Sequence, residues 1–454
     1  MERSIVERRV SSAVAEQAFI TRTPRSRELS ARAAEIFPQG VSGAAKYFDP
    51  YPIFIAEAYG DTVVDVDGNR YVDLLMGAGP MLLGHGHPRV IEAIREQAAR
   101  MTNPMMPTEM SCAYAERIRG HMPYLERLRF TNTGSEATRT AVRIARAVTG
   151  RTLIAKCEGG FHGSDDAFLV STHSHEMRGR DERPEPVLDY AGLSERLLAE
   201  VVVIPYNDAE AAAEIIGEHG DRLSSVIMEP VAFSSGGGIP ATKEFARTVR
   251  DATAAHGICL IFDEVLCAYR LGLAGAPEYL AVVPDLATIG KAVGGGLPLA
   301  AVGGRADLME AALGPEAGSK RIFQSGTFTE NPLSIAAGMA ALDVLESEPV
   351  LERADQAGET IRDGLRAAFD AAGVRAAVTG CRSIIQVHLG ADRVTNRRDV
   401  LRADMQATRA FLLGMVAEGV LWPPIHPGVT SAAHTAESAA AVVAAAERVL
   451  QRVA

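Results

Sequence analysis

The feature that most constrains this chain is a succession of short, wholly apolar runs separated by helix-length amphipathic stretches. The runs are RLRFTN (127–132), TLIAKC (152–157), EVVVIPY (200–206), SVIMEP (225–230), ICLIFDEV (258–265), LATIGK (286–291) and LAAVGG (299–304). Between several of them lie helical patterns at 135–148, 208–219 and 242–256, with another upstream at 88–100. Strands without apolar–polar alternation must be buried on both faces, and helices between them supply the cover. The expected fold is therefore α/β, with a mostly parallel seven-stranded sheet wrapped by helices.

At 454 residues the chain exceeds what one compact core organises. We expect an N-terminal segment (1–75) with a helix and a β-hairpin, a large domain (76–335) and a C-terminal α+β domain (336–454). The hairpin is DTVVDVDGNRYVDLL, turning at Asp67-Gly68, and it is expected to share a sheet with the C-terminal domain. That domain is predicted from a helical stretch at 332–373, SIIQVHL at 383–389, a helix near 398–418 and an Ala-rich helix at 435–452. The segment 174–196, charged and aperiodic, reads as a surface excursion. The first 35 residues mix Arg with Glu and read as a charged surface helix rather than a transit peptide.

A net charge of −11 argues against nucleic acid and anionic membrane as partners and leaves a small-molecule substrate. No apolar run reaches the length of a membrane span. Five scattered cysteines, none in a CxxC spacing, fit neither a disulfide framework nor a zinc site, and a reducing, cytoplasmic compartment is expected. His85 with His87, and His173 with His175, lack further ligands at metal-site spacing, so no metal is expected.

Four segments place polar groups at predicted strand ends, where open parallel sheets bind ligands. In FTNTGSEAT (130–138), the N–H groups of Thr133, Gly134 and Ser135 and the Ser135 hydroxyl suit a phosphate at a helix N-terminus. An ordinary N-cap explains the same residues, and alone it is the better reading. Asp263 ends an apolar strand in LIFDEVLCAYR (260–270), where it needs a cationic partner, either a protonated ring nitrogen or an arginine. Lys291 follows a strand and precedes three glycines (294–296), which suits an imine-forming amine, against the alternative of a surface lysine. FQSGTFTENPLS (323–334) is a capped loop in which Gly326 and Thr327 could add a phosphate contact. Glu229 ends another buried strand and is a candidate to line the site.

Together the motifs GDTVVDVDGNRYVDL, GHGHP, FTNTGSEAT, FHG, FDEV, GKAVGGGLPLAAVGGR and GTFTENP, in this order, resemble the class III aminotransferases of fold type I. The likeness spans about residues 30–450 and is greatest to the branch with glutamate-1-semialdehyde aminomutase and D-phenylglycine aminotransferase. The resemblance implies pyridoxal 5′-phosphate, held as a Schiff base by Lys291 with Asp263 at the pyridinium nitrogen. It implies Phe161 and Val265 on the two ring faces, His162 beside them, and Gly134 with Ser135 at the phosphate. Gly326-Thr327 would come from a neighbouring subunit, making the active form a homodimer. The implied reaction is ping-pong transfer of an amino group between a small-molecule amino donor and a carbonyl acceptor. The alternative is an intramolecular aminomutase. Two departures bear on the substrate. Lys46 stands where those relatives carry a carboxylate-gripping Arg, and His426 where the aminomutase carries a Glu, so both are candidate substrate contacts.

Overall fold

The computed structural model describes residues 12–452. Its centre is a seven-stranded sheet built from β4 (Arg127–Thr131), β5 (Leu153–Cys157), β6 (Val201–Ile204), β7 (Leu223–Met228), β10 (Cys259–Glu264), β11 (Leu286–Ile289) and β12 (Ala300–Gly304). The strands lie in the order β4-β12-β11-β10-β7-β5-β6. All neighbours run parallel except β12, which is antiparallel to both β11 and β4. Strands β5, β7, β10, β11 and β12 are buried along their whole length, which is why their sequences lack alternation.

The helix Gly134–Thr149 shows how the cover is specified. Thr133 and Glu136 form a capping box at its start, and Gly150, with φ of +70°, ends it. Between them Ala137, Ala141, Val142, Ile144 and Ala145 pack on the sheet. A short ribbon, β8 (Val231–Ala232) with β9 (Ile239–Pro240), comes after β7 and presents its loop beside the sheet's carboxyl edge.

The N-terminal strands β1 (Ile55–Tyr59), β2 (Thr62–Asp65) and β3 (Arg70–Asp73) form an antiparallel meander. Strand β3 also pairs with β15 (Val420–Leu421), so the expected sharing of a sheet with the C-terminal segment is present. A three-stranded sheet of β13 (Ala376–Thr379), β14 (Ile384–Leu389) and β16 (Gly428–Val429) lies alongside.

Three expectations need correction. The N-terminal region is two helices, Ser12–Arg22 and Pro24–Ala34, and the first is not a purely surface element. Its Phe19 is fully buried against Phe48 and Tyr51, because Ala15 and Phe19 fall one turn apart on the same face. The acidic residues Glu2 and Glu7 lie outside the described residues. The 332–373 stretch is two helices, Pro332–Ser347 and Val350–Ala372, since Pro349 cannot continue a helix interior. The helix near 398–418 is likewise split, into Arg397–Arg402 and Met405–Ala417, where Asp404 caps the second through the Ala407 N–H. Among the described residues no helix is long and apolar enough to cross a membrane.

Candidate active site

The carboxyl ends of β4, β5, β7, β10 and β11 converge on a cavity of about 440 Å³. Each strand delivers residues from its end or from the turn just beyond it: Thr133, Gly134 and Ser135 after β4, Phe161 and His162 after β5, and Glu229 after β7. Asp263 and Val265 come from the end of β10, and Lys291 from just beyond β11. A slightly larger hollow, about 470 Å³ under the 174–196 excursion, holds none of the predicted residues.

Lys291 sits at the cavity floor with φ of +48°, a strained backbone for a residue with a Cβ, as found where a side chain must be aimed at a site. Burial pulls its amine down to about 8, against the opposing influence of Glu229. Its Nζ lies 5.3 Å from the centre of the Phe233 ring.

Asp263 is fixed from three sides. Its Oδ2 accepts from His162 Nδ1 at 2.8 Å, and its Oδ1 accepts from the Thr288 hydroxyl at 3.1 Å and the Val265 N–H at 3.2 Å. Thr288 is its register partner on β11, so strand pairing itself delivers that hydroxyl. Burial lowers the pKa of His162, so a neutral ring donates from Nδ1 to the carboxylate, while Nε2 is buried without a partner.

Glu229 holds the aromatic walls through the backbone. Its Oε2 accepts the Phe161 N–H at 2.8 Å and its Oε1 the Phe233 N–H at 3.3 Å. Burial first, and then the neighbouring Asp263 charge, push its carboxyl up to about 8.

At the start of the helix Gly134–Thr149 the N-cap reading of FTNTGSEAT holds, and one residue of the expected cradle is corrected. The Thr133 N–H is bonded to Glu136 Oε2 at 3.2 Å within the capping box, so it does not contribute to a cradle. The first-turn N–H groups of Gly134 and Ser135 remain at the cavity wall. A Cβ at Gly134 would come within 2.8 Å of both Val265 methyls, and one at Gly163 within 2.3 Å of Ser135 Oγ. The space beside the helix start thus depends on two missing side chains.

The remaining predicted residues lie outside this cavity. Lys46 is exposed at the end of the short turn Ala44–Lys46. Gly326 and exposed Thr327 lie in a loop at the rim, where the Thr327 carbonyl accepts from Asn103 Nδ2 at 3.2 Å. His426 stands behind the wall, its ring 4.7 Å from that of Phe233 and its Nε2 3.4 Å from the Ser234 hydroxyl. Phe233 and Ser234 themselves were not anticipated. They lie in the β8–β9 loop just past SVIMEP, and their position after a buried strand end was the available signal. His85 is bound to Asp73 at 2.7 Å, and His173 packs its ring on Phe161. Among the described residues no set of three or more metal-ligating side chains gathers.

An amine of lowered basicity, a fixed carboxylate and a helix N-terminus around one cavity match the three polar ends of pyridoxal phosphate: aldehyde, ring nitrogen and phosphate. The chain belongs to the class III aminotransferase family, whose model, Aminotransferase class-III, matches residues 44–439. It is 39% identical to the glutamate-1-semialdehyde 2,1-aminomutase of Methanothermobacter thermautotrophicus, over 94% of this chain and 99% of that one. Among solved structures it resembles an omega-transaminase from Sphaerobacter thermophilus, with a TM-score of 0.88 and 34% identity, covering 96% of this chain and 99% of the other. A transaminase with pyridoxal phosphate bound aligns with a TM-score of 0.84 and 33% identity over 95% and 98% of the two chains. The cofactor is pyridoxal phosphate, as in this family.

Proposed function

We propose that this enzyme moves an amino group on and off pyridoxal phosphate held at Lys291. We propose further that it does so within a single substrate, in the manner of the glutamate-1-semialdehyde 2,1-aminomutases. The observation that carries the amine chemistry is Lys291, half-buried and lining one cavity with Asp263 and Glu229. A 39% identity over nearly the whole length of an aminomutase supports the intramolecular reading over the transamination expected from the sequence.

When bound, pyridoxal phosphate supplies an aldehyde carbon that amines attack and a ring that accepts electrons from the neighbouring bond. Asp263, held by His162 and Thr288, would keep a negative charge at the ring nitrogen. Gly134 and Ser135 would hold the phosphate, while Phe161 and Val265 would confine the ring. With a pKa of about 8, Lys291 has roughly a tenth of its amine neutral at pH 7, so it can take and return a proton without leaving the site.

We also propose a homodimer. Phe323 and Phe328 flank Gly326 and Thr327 on the rim loop and are 82% and 61% exposed, and Met105 and Met106, which follow the Asn103 that bonds Thr327, are each 71% exposed. Such an apolar face suits a second copy, which would bring Gly326 and Thr327 to the neighbouring site.

Intermolecular transamination is the second reading, favoured by the omega-transaminase likeness and by His426, where the aminomutase has a Glu. Loading the enzyme with cofactor in either form and offering one amino aldehyde without any acceptor separates the two. Isomerisation supports the mutase; discharge that stalls until a keto acid is added supports the transaminase. Lys291→Ala should abolish turnover and the absorbance of the imine between lysine and cofactor in both cases, and an active variant would refute the assignment.

A further inference from the structure

Lys156 is fully buried in β5, a strand otherwise made of apolar residues. A lysine in such a place is costly unless its charge is held. Among the described residues no carboxylate is in contact with it, and the anions that act on it do so from farther off. Its Nζ donates instead to the Val170 carbonyl and to the Thr172 hydroxyl, both at 2.7 Å.

These acceptors form the return end of one loop. The chain leaves β5 at Cys157, turns into the active-site cavity at Phe161 and His162, and comes back at 170–172. The Thr172 hydroxyl lies 2.6 Å from the Phe168 carbonyl and 3.0 Å from that of Gly160, to one of which it donates. The Gly159 N–H meets the Ser171 carbonyl at 2.7 Å. Lys156 thus draws both ends of the loop onto the strand. The countercharge stands on the far side of this clasp, where Asp189 accepts the N–H groups of Thr172, His173 and Ser174. Burial pulls the Lys156 amine down to about 8, and Asp189 is the first of the nearby anions to oppose that fall.

What the loop carries explains why its ends are held so firmly. The Phe161 N–H is given to Glu229, and the His162 ring is bonded to Asp263. The His162 carbonyl accepts the Thr138 hydroxyl at 2.7 Å, and the Ser164 N–H reaches Ser135 Oγ at 3.2 Å. A lysine that only offset Asp189 would be served by a direct ion pair with it; the reach to residues 170 and 172 fixes the loop instead. We propose that Lys156 is a positioning residue of the active site, clasping the 158–172 loop so that Phe161 lies against the cofactor ring and His162 against Asp263. The inference rests on the ring contact proposed for Phe161.

The experiment compares Lys156→Met and Thr172→Val, which cut the clasp from its two sides, with the double variant and with Phe161→Ala as the reference for ring contact. In the cofactor-free full chain, amide hydrogen exchange in 158–172 should quicken about tenfold or more, while the strands of the central sheet keep their rates. In the cofactor-loaded enzyme the visible circular dichroism, which reports a fixed orientation of the ring, should fall. Cofactor affinity should drop about tenfold, as for one lost charge-assisted hydrogen bond, and the double variant should lose less than the sum of the single losses. Thr172→Val carries the test if Lys156→Met fails to fold. Unchanged exchange in 158–172 in both variants would overturn the clasp, and exchange that quickens equally through the sheet would make Lys156 a core residue and overturn the positioning role. A loosened loop with dichroism and affinity intact overturns that role if Phe161→Ala alters them. If Phe161→Ala alters neither, the proposed ring contact fails and the positioning role falls with it, while the clasp stands on exchange.

Discussion

Replacing Gly163 with alanine probes how the phosphate end of the site is built. Gly163 has φ of +98°, and an added Cβ would lie 2.3 Å from Ser135 Oγ, 2.7 Å from Ser135 Cβ and 2.8 Å from Ser135 Cα. The backbone conformation alone costs alanine about 1–2 kcal/mol, and forcing Ser135 aside adds about 1–3 kcal/mol of overpacking. The cofactor-free protein should therefore lose about 2–5 kcal/mol of stability, read from its denaturant midpoint. Displacing Ser135 should also weaken the phosphate contact proposed for it, and a lost charge-assisted hydrogen bond of about 1.5–3 kcal/mol would lower cofactor affinity roughly 10- to 150-fold. Ser135→Ala separates the two effects, because it removes the hydroxyl without touching the strained glycine. It should lose affinity and keep its midpoint. In the double variant G163A/S135G two of the three clashing atoms are gone, so its stability loss should be smaller than the sum of the single losses. An alanine at 163 that leaves midpoint and affinity unchanged would refute the steric argument. A fall in stability with full affinity would refute the role of Ser135.

Other consequences can be measured in parallel. With its pKa raised to about 8, Glu229 binds a proton more tightly folded than unfolded, so its favourable contribution is complete below pH 4.5 and fades as pH rises to about 8. Cofactor-free E229Q should therefore gain stability relative to wild type between pH 5 and pH 8, and a pH-independent difference in denaturant midpoint would count against this burial. His426, held neutral with a pKa of about 3, should contribute no limb to the pH–rate profile between pH 5 and 8. His426→Gln should thus leave that profile in place, and loss of an acid limb would contradict it. Asp263→Asn should slow turnover roughly a hundredfold or more while the protein still binds cofactor, as for loss of a preorganised charge. Phe323→Asp with Phe328→Asp should yield an inactive monomer in sedimentation, and an active monomer would exclude a shared site.

What sequence determined here is what is local or repeated along the chain. Buried strands show themselves as unbroken apolar runs because both of their faces are covered, and Asp263 and Lys291 stand out because a charge at such a strand end requires a partner. The N-cap at Thr133 with Glu136 three residues on is a local signal legible without any tertiary contact. Helix breaks at Pro349 and Asp404 had local signals of the same kind, but long helical periodicity on either side masked them. Tertiary structure alone decided which distant groups meet. His162 reaches Asp263 across 101 positions, and Arg397 reaches Ser235 across 162, both through strand order and loop packing that no periodicity encodes. Burial likewise decided protonation. Lys291 and Glu229 are ordinary side chains in a sequence, and only their enclosure in a low-dielectric cavity brings both pKa values to about 8.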